Sequence, residues 1–418
     1  MKQALSIGAL LLACWVSAEQ PSSVNIRDYG AIGDGKTDDT AAFNKAMAVV
    51  APKGGTVTIP VGNYLIKTHL IVPPKVTLEG IWKVPTAWTQ NEGSTLLAVE
   101  GEGSETGPAF ITLNANSCLK GITVFYPNQK KDKIVAYPWC VAGAGGDNST
   151  VVDCLLVNPY QGVDFGSKAC GRHMVRNLYG QPLRRGLFVD QCYDIGRIEN
   201  VHFWPFWSWD GNEYMKDWLW KNGEAFIFAR TDWEYVLNTF CFGYKVGYRF
   251  TTSANGSMNG NLLGIGADAT VVAVQVEQTQ NPGLLITNGE FVAFGDKEPI
   301  SVVVDAKHTG VVQFQNCAFW GPAHQIARIA GKGYVSFNNC NFQDWSAKTP
   351  NVAAVTLLGG ALSIVGCNFQ KAGAHVELMK GAESLIFTSN RLVSPLRIFN
   401  PDKVEAQIGF NTEKKKSQ

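Results

Sequence analysis

The 418-residue chain has almost no charge imbalance: 36 Lys and Arg face 35 Asp and Glu, for a net charge of +1. Near-neutrality removes the electrostatic case for a nucleic-acid partner or a membrane surface. Charged residues make up only 17% of the chain, too few for a protein built from long exposed helices. Histidine is scarce, six in all, and no Cys/His spacing of the zinc-site kind occurs. Beyond residue 18 no apolar run is long enough to span a bilayer. Closely spaced cysteine pairs are missing too. The ten cysteines are scattered through a long chain, which argues against a disulfide scaffold and for buried thiols.

What is abundant is glycine, 43 residues, on a 45% apolar background, a composition suited to strands and tight turns. Residues 1–18 read as an export signal: Lys2, the apolar run "ALSIGALLLACWV", then small residues before Glu19. The phrase "LLAC" also fits a lipoprotein cleavage box, with Cys14 as the lipidated residue. A secreted or periplasmic protein is expected in either case. The charged stretch 411–418 is expected to be a tail.

The C-terminal half repeats a phrase. "VVQFQNCAF" (311–319), "YVSFNNCNF" (334–342) and "LSIVGCNF" (362–369) share an alternating strand, a turn residue, Cys and a short strand ending in Phe. Looser copies carry the turn residue at Asp153, Asn177, Asn200 and Asn288, with weak copies at Asn238 and Gly264. A repeat of about 24 residues with strand chemistry indicates a β-solenoid, and Asn or Gly at the turn suits a left-handed backbone. A further short strand precedes each copy, as in "GVDFG", "GLFVDQ", "AFIFAR", "GYRFT", "VVAVQVE" and "SVVVDA". Three short strands per turn predict an all-β fold, a right-handed parallel β-helix over about 19–410. Cys317, Cys340 and Cys367 are then one internal ladder, with no metal bound.

The N-terminal stretch "NIRDYGAIGDGKTDDTAAFNKAMAVV" sets Ala42, Phe43, Ala46, Met47 and Val50 on one side of a helix near 39–50 that Thr37 or Asp38 can cap. Such a helix would cover the open first coil. With Gly33, Asp34, Gly35, Thr37, Asp38 and Asp39, and the following "GGTVTIPVGNY", the sequence resembles the pectate-lyase-like proteins. Polygalacturonase-like hydrolases, lyases, epimerases and phage tailspikes share this start, so the resemblance implies the fold and leaves the chemistry open. Asp34, Asp38 and Asp39 are read as turn and cap residues.

The resemblance also implies a ligand cleft along the first strand of each coil. On those strands Asp164, Asp190, Arg230 and Arg249 fall on the outward phase of consecutive coils. The segment "HFWPFWSWDGNEYMKDWLW" (202–220) then forms an insertion, 204–223, at the cleft's edge. Pro205, Gly211 and the two-residue spacing of its tryptophans argue against a packed helical stripe. Trp204, Trp207, Trp209, Trp218, Trp220 and Trp233 are expected to stack on sugar rings. Arg184, Arg185 and Arg249 are expected to bind substrate, Arg suiting bidentate carboxylate recognition. Asp164, Asp190 and Arg230 head the catalytic candidates, followed by Asp210, Glu213 and Asp232. Glu224 is a further carboxylate nearby.

Two carboxyls serve glycoside hydrolysis, as acid and as base or nucleophile. Elimination instead needs a base and positive charge on a uronate, and would bring in Ca2+. The polygalacturonase Gly-His-Gly is absent, the only Asp-Asp is in the cap, and the pectate lyase phrases are not evident. No relative's catalytic residues are therefore carried over. The expectation is an exported enzyme degrading a polysaccharide, glycoside hydrolase favoured and cofactor-free. A lyase or epimerase on a uronic-acid polymer, or a carbohydrate-binding solenoid without catalysis, are the alternatives.

Overall fold

The computed structural model describes residues 21–85, 92–208 and 213–413. Within them the chain winds as a parallel β-helix. Thirteen strands, from Leu70–Val72 to Ile398–Phe399, stack in one parallel sheet, here the front sheet. The remaining two sides of each coil share a 27-stranded sheet. That sheet bends at the turn residues picked out by the repeat. Asp153, Asn177, Asn200, Asn238, Asn288, Asn316 and Asn339 all have φ between 51° and 56°, and Gly264 and Gly366 have 65° and 66°. A left-handed residue turns the chain without breaking the ladder on either side: Val152 pairs with Arg176 and Cys154 with Leu178, skipping Asp153 and Asn177. The turn side chains also bond between coils, Asn177 to Asp153 at 2.7 Å, Asn200 to Asn177 at 2.8 Å and Asn316 to Asn288 at 2.8 Å. This is why Asn outnumbers Gly there: it tolerates the conformation and adds a hydrogen bond.

Inward positions of all three sides make one continuous core, with aromatic stacks such as Phe226 on Tyr248 at 4.8 Å and Phe314 on Phe337 at 5.0 Å. Cys317, Cys340 and Cys367 are each buried, and their thiols reach carbonyls of the preceding coil: Ile286, Phe314 and Phe337. Native protein treated with a maleimide should leave all three unmodified, whereas unfolded protein should react at each. Labelling of the ladder in the folded state would contradict its interior position.

The helix α1, Thr40–Val50, buries Ala42, Phe43, Ala46, Met47 and Val50 against the first coil, as the pattern predicts. Its N-terminus differs in detail. The N-cap position is Asp39, and the side chain that accepts from Thr40 N is Asp38, at 3.1 Å. Asp39 instead accepts from Ile32 N and Gly33 N, while Asp34 accepts from Lys36 N and Thr37 N. Their carboxylates thus hold the turn and the helix entry. At the other end Thr412–Glu413 pairs with Arg391–Leu392, so the last coil extends into the stretch expected to be a tail. The export-signal reading, including Cys14, and residues 414–418 lie outside the described residues.

A second helix, α2, covers Glu213–Asn222. It contradicts the expectation that the aromatic insertion avoids helix. The two-residue spacing of Trp218 and Trp220 disfavours one packed stripe, and the helix is instead packed on more than one side. Met215 and Leu219 enter the core, Trp218 meets Tyr160 edge-on at 5.9 Å, and Trp220 donates to the Ala269 carbonyl at 2.8 Å.

Candidate functional site

The outward row of the front sheet runs Asp164, Phe188, Ile227, Arg249, Gln275 on consecutive coils. At its middle a cavity of about 200 Å3 is lined by Arg184, Arg185, Phe188, Glu224, Ile227, Arg249 and Thr251. Arg249 is the hub. Its Nε donates to Glu277 Oε1 at 2.7 Å and its Nη1 to Glu224 Oε1 at 3.1 Å. Thr251 Oγ1 donates to the other Glu277 oxygen at 2.6 Å, and Arg184 sits 3.6 Å from the other Glu224 oxygen. Burial opposes the Arg249 charge, but the contacts with Glu277 and Glu224 outweigh it and raise its pKa. Arg184 also donates to the Asn222 carbonyl at the end of α2, which ties the insertion to one residue of the cavity lining. Arg185 donates to Gln161, and Trp139 lies nearly parallel to Phe188 at 6.4 Å. The lining thus holds three arginines, Glu224 and the Phe188 ring, while Glu277 and Trp139 contact that lining through Arg249 and Phe188.

Several sequence candidates fall elsewhere. Asp164 is on the expected strand phase but only 3% exposed, its carboxylate accepting from Gly166 N and Ser167 N. Asp190, 5% exposed, lies past the strand end. It accepts from Gln191 N, Arg230 N, Ser253 Oγ and Asn255 Nδ2, tying the 252–257 hairpin to the coil corner. Its carboxylate is thus shared among four donors at a coil corner, off the outward strand phase where the sequence places it. Asp190→Asn should therefore cost about 1–3 kcal/mol of stability, read as a lower melting temperature, while turnover per folded molecule stays near normal. A large loss of turnover with unchanged melting would restore it to the chemistry. Arg230 pairs with Asp232 at 2.7 Å and lies over the Tyr193 ring, and Asp232 also accepts from Gln280. This corner group is separate from the Arg249 cavity. Glu213 is exposed on α2 and paired with Lys216. Asp210 and Trp209 lie outside the described residues.

The described tryptophans of the insertion each have a protein contact. Trp204 packs on Phe206 and Phe242, Trp207 is buried with its amide bonded to Gln181, and Trp218 and Trp220 are held as described above. Of these only Trp207 is buried, while Trp204, Trp218 and Trp220 stay half-buried, which removes part of the cost of leaving several indoles in water. Trp233 is different: it is 59% exposed, but around the corner from the front sheet. Conversely, sequence reasoning missed Glu277 and Thr251. The alternation of "VVAVQVE" puts Gln275 and Glu277 outward together, one coil beyond Arg249, and that signal could have found Glu277.

Two cation questions follow. Ca2+ takes six to eight oxygen ligands, but both cavity carboxylates already hold the Arg249 guanidinium, so these residues do not fit such a site. In the interior, His173, Cys192 and Glu234 bring one ligand atom each within 4.8 Å of one another. His173 Nδ1 faces the Cys170 carbonyl at 3.0 Å, which only accepts, so Nδ1 carries a proton. Nε2 lies 2.9 Å from Glu234, whose second oxygen accepts from Thr231, and Cys192 donates to the Asp194 carbonyl. Burial disfavours the charged ring, yet the Glu234 carboxylate and Cys192 outweigh it and hold the His173 pKa well above the usual range. The set is complete as a buried ion pair.

Residues 23–153 match the family model described as rhamnogalacturonase A/epimerase, pectate lyase-like. The match takes in 131 of the 418 residues, and together with the parallel β-helix it marks the chain as similar to the pectate-lyase-like proteins. The chain is 35% identical over 107 residues to mannuronan C5-epimerase AlgE3 of Azotobacter vinelandii, a match covering 22% of this chain and 6% of that protein. To exopolygalacturonase clone GBGA483 of Arabidopsis thaliana it is 32% identical over 222 residues, 45% of this chain and 49% of that one. The matched stretches of the chain thus span at most about half the length of these relatives. Among solved structures, the A-module of mannuronan C-5 epimerase AlgE6 of Azotobacter vinelandii superposes with a TM-score of 0.62 over 94% of this chain and 100% of that one. At 14% identity, this likeness speaks for the fold.

Proposed function

We propose that this protein is a polysaccharide-acting enzyme whose active cleft is the front-sheet cavity around Arg249, and that it cleaves a uronate-containing polymer by hydrolysis. One observation supports the reaction: Arg249 holds Glu224 at 3.1 Å and Glu277 at 2.7 Å through different nitrogens, which gathers at one guanidinium the two carboxyls that glycoside hydrolysis uses. One serves as general acid and the other activates water. Arg184 and Arg185 leave the cluster with more cations than carboxylates, so an anionic sugar balances its charge. Phe188 and Trp139 offer ring faces to the sugar's C–H face. The relatives are named for mannuronan and polygalacturonate chemistry, which supports a uronan substrate. Epimerisation or elimination is the second reading, favoured by the epimerase match. Against it, the residues lining the cavity include no His or Tyr to serve as a proton-transfer base. The N-terminal signal-like run supports export to where such polymers occur.

Incubation with polygalacturonate and with alginate, products read by mass, tests both readings. Hydrolysis adds one water per bond cut and generates no unsaturated chromophore. Elimination produces the chromophore at unchanged total mass, and epimerisation leaves chains intact with altered stereochemistry. Either of the latter outcomes would overturn the hydrolytic assignment.

A further inference from the structure

Around the corner from the front sheet, a groove of about 480 Å3 is lined by Asp232, Trp233, Tyr235, Asn259, Gly260, Asn261, Pro282, Gly283 and Leu285. Its floor is the outward row of the adjoining side, with Tyr235, Asn261 and Leu285 in register on three consecutive coils. Its rim is Trp233. We infer that this groove is a second glycan-binding site, separate from the Arg249 cavity, in which a sugar ring stacks on Trp233 and a polymer strand lies across the coils. The inference rests on the polysaccharide reading above for its ligand class.

Trp233 carries the argument because its conformation is costly and its exposure gains nothing for the fold. Its φ is 59°, and apart from Phe410 it is the one aromatic among the described residues in the left-handed region. A bulky residue held there is strained, and strain that persists is held by its surroundings. Here Asn259 Oδ1 accepts the Trp233 backbone N–H at 3.1 Å, and the indole N–H donates to the Tyr235 hydroxyl at 3.1 Å. Asn259 is itself fixed by donating to Gln280 at 2.9 Å. The indole is therefore oriented in advance while its face stays 59% open to water. Pre-orientation lowers the entropy cost of binding. Glycines 260 and 283 keep the groove floor shallow beside it, and the Asn261 amide offers both a donor and an acceptor to sugar hydroxyls. Asp232 on the rim is already matched by Arg230 and Gln280, so the groove has no unpaired carboxylate to repel an anionic chain. The site fits a sugar face, whereas the Arg249 cavity fits a sugar carboxylate. Coil stacking at about 4.8 Å sets neighbouring floor residues at intervals suited to successive units of an extended chain.

The test uses the full-length protein with polygalacturonate and alginate in affinity electrophoresis, alongside turnover on short oligomers of whichever polymer is cleaved. Trp233→Ala should weaken retention by polymer about tenfold or more, Trp233→Tyr should keep most of it, and oligomer turnover should be unchanged in both. Trp233→Gly should lose retention without lowering the melting temperature, because glycine relieves the left-handed strain. Unchanged polymer retention in Trp233→Ala would overturn the site, as would a marked drop in melting temperature for Trp233→Gly, which would make Trp233 a structural residue. Oligomer turnover falling in step with retention would assign Trp233 to the catalytic cleft and overturn the separate site. Polymer retained through Trp233 by a protein that cleaves nothing would uphold this inference and sink the catalytic reading instead.

Discussion

If the protein hydrolyses its polymer as proposed, Glu277→Gln should lower turnover by about 10²-fold or more while leaving the fold intact, and Glu224→Gln should do the same. This is the size expected when a general acid or base is replaced by a group that cannot transfer a proton. The exchange keeps side-chain volume and two hydrogen-bonding atoms, so Arg249 and Thr251 retain partners. Melting temperature should therefore move little, because both glutamates are part-exposed and their ion pairs are partly screened. Comparing pH–rate profiles separates roles: the variant lacking the acid should lose the alkaline limb, and the variant lacking the base the acidic limb. Near-normal turnover in both would remove the Arg249 cavity from the chemistry.

The largest stability effect is expected in the interior. His173→Ala strands the Glu234 carboxylate, fully buried, with only Thr231 as a partner. Breaking a buried pair from one side costs about 3–5 kcal/mol. Its pH dependence has a definite sign. The folded-state pKa of His173 is raised above its ordinary value near 6.5, so the stabilisation is complete below that value. It is lost as pH climbs through the higher folded-state value. The gap in melting temperature between the native chain and His173→Ala should thus be widest at mildly acidic to neutral pH and shrink under alkaline conditions. A gap that widened with pH would mean the ring is neutral in the fold. Solenoid coils unfold with some independence, so local hydrogen exchange near residues 173 and 234 should report the change too.

The fold was legible because a solenoid writes itself into the chain at each turn. Asn316, Asn339 and Gly366 mark one position where the backbone must be left-handed, and Cys317, Cys340 and Cys367 follow it inward. The site was legible only in part. Strand alternation puts Arg249 on the outer face, while Arg184, Arg185 and Glu224 are placed at the cleft by lying beside the starts of its strands. It failed at Asp164 and Asp190, since alternation tells which way a residue points and says nothing of which backbone amides wait there. The aromatic insertion misled for a related reason. A helix with apolar residues on several sides shows no single stripe when coil, sheet edge and loop all pack on it.

By itself the sequence determined the coil length, the turn residues, the capping helix and the inward and outward faces. These depend on local periodicity and on φ preferences that individual residues carry. Tertiary structure alone decided which outward charges meet. The His173–Glu234 pair joins residues 61 apart in the chain, and Glu277 reaches Arg249 from a separate coil. Such meetings depend on the register between coils and on loop lengths, where one inserted residue redirects every side chain beyond it. Whether an aspartate serves a turn or a substrate is decided by the same three-dimensional count of donors within its reach.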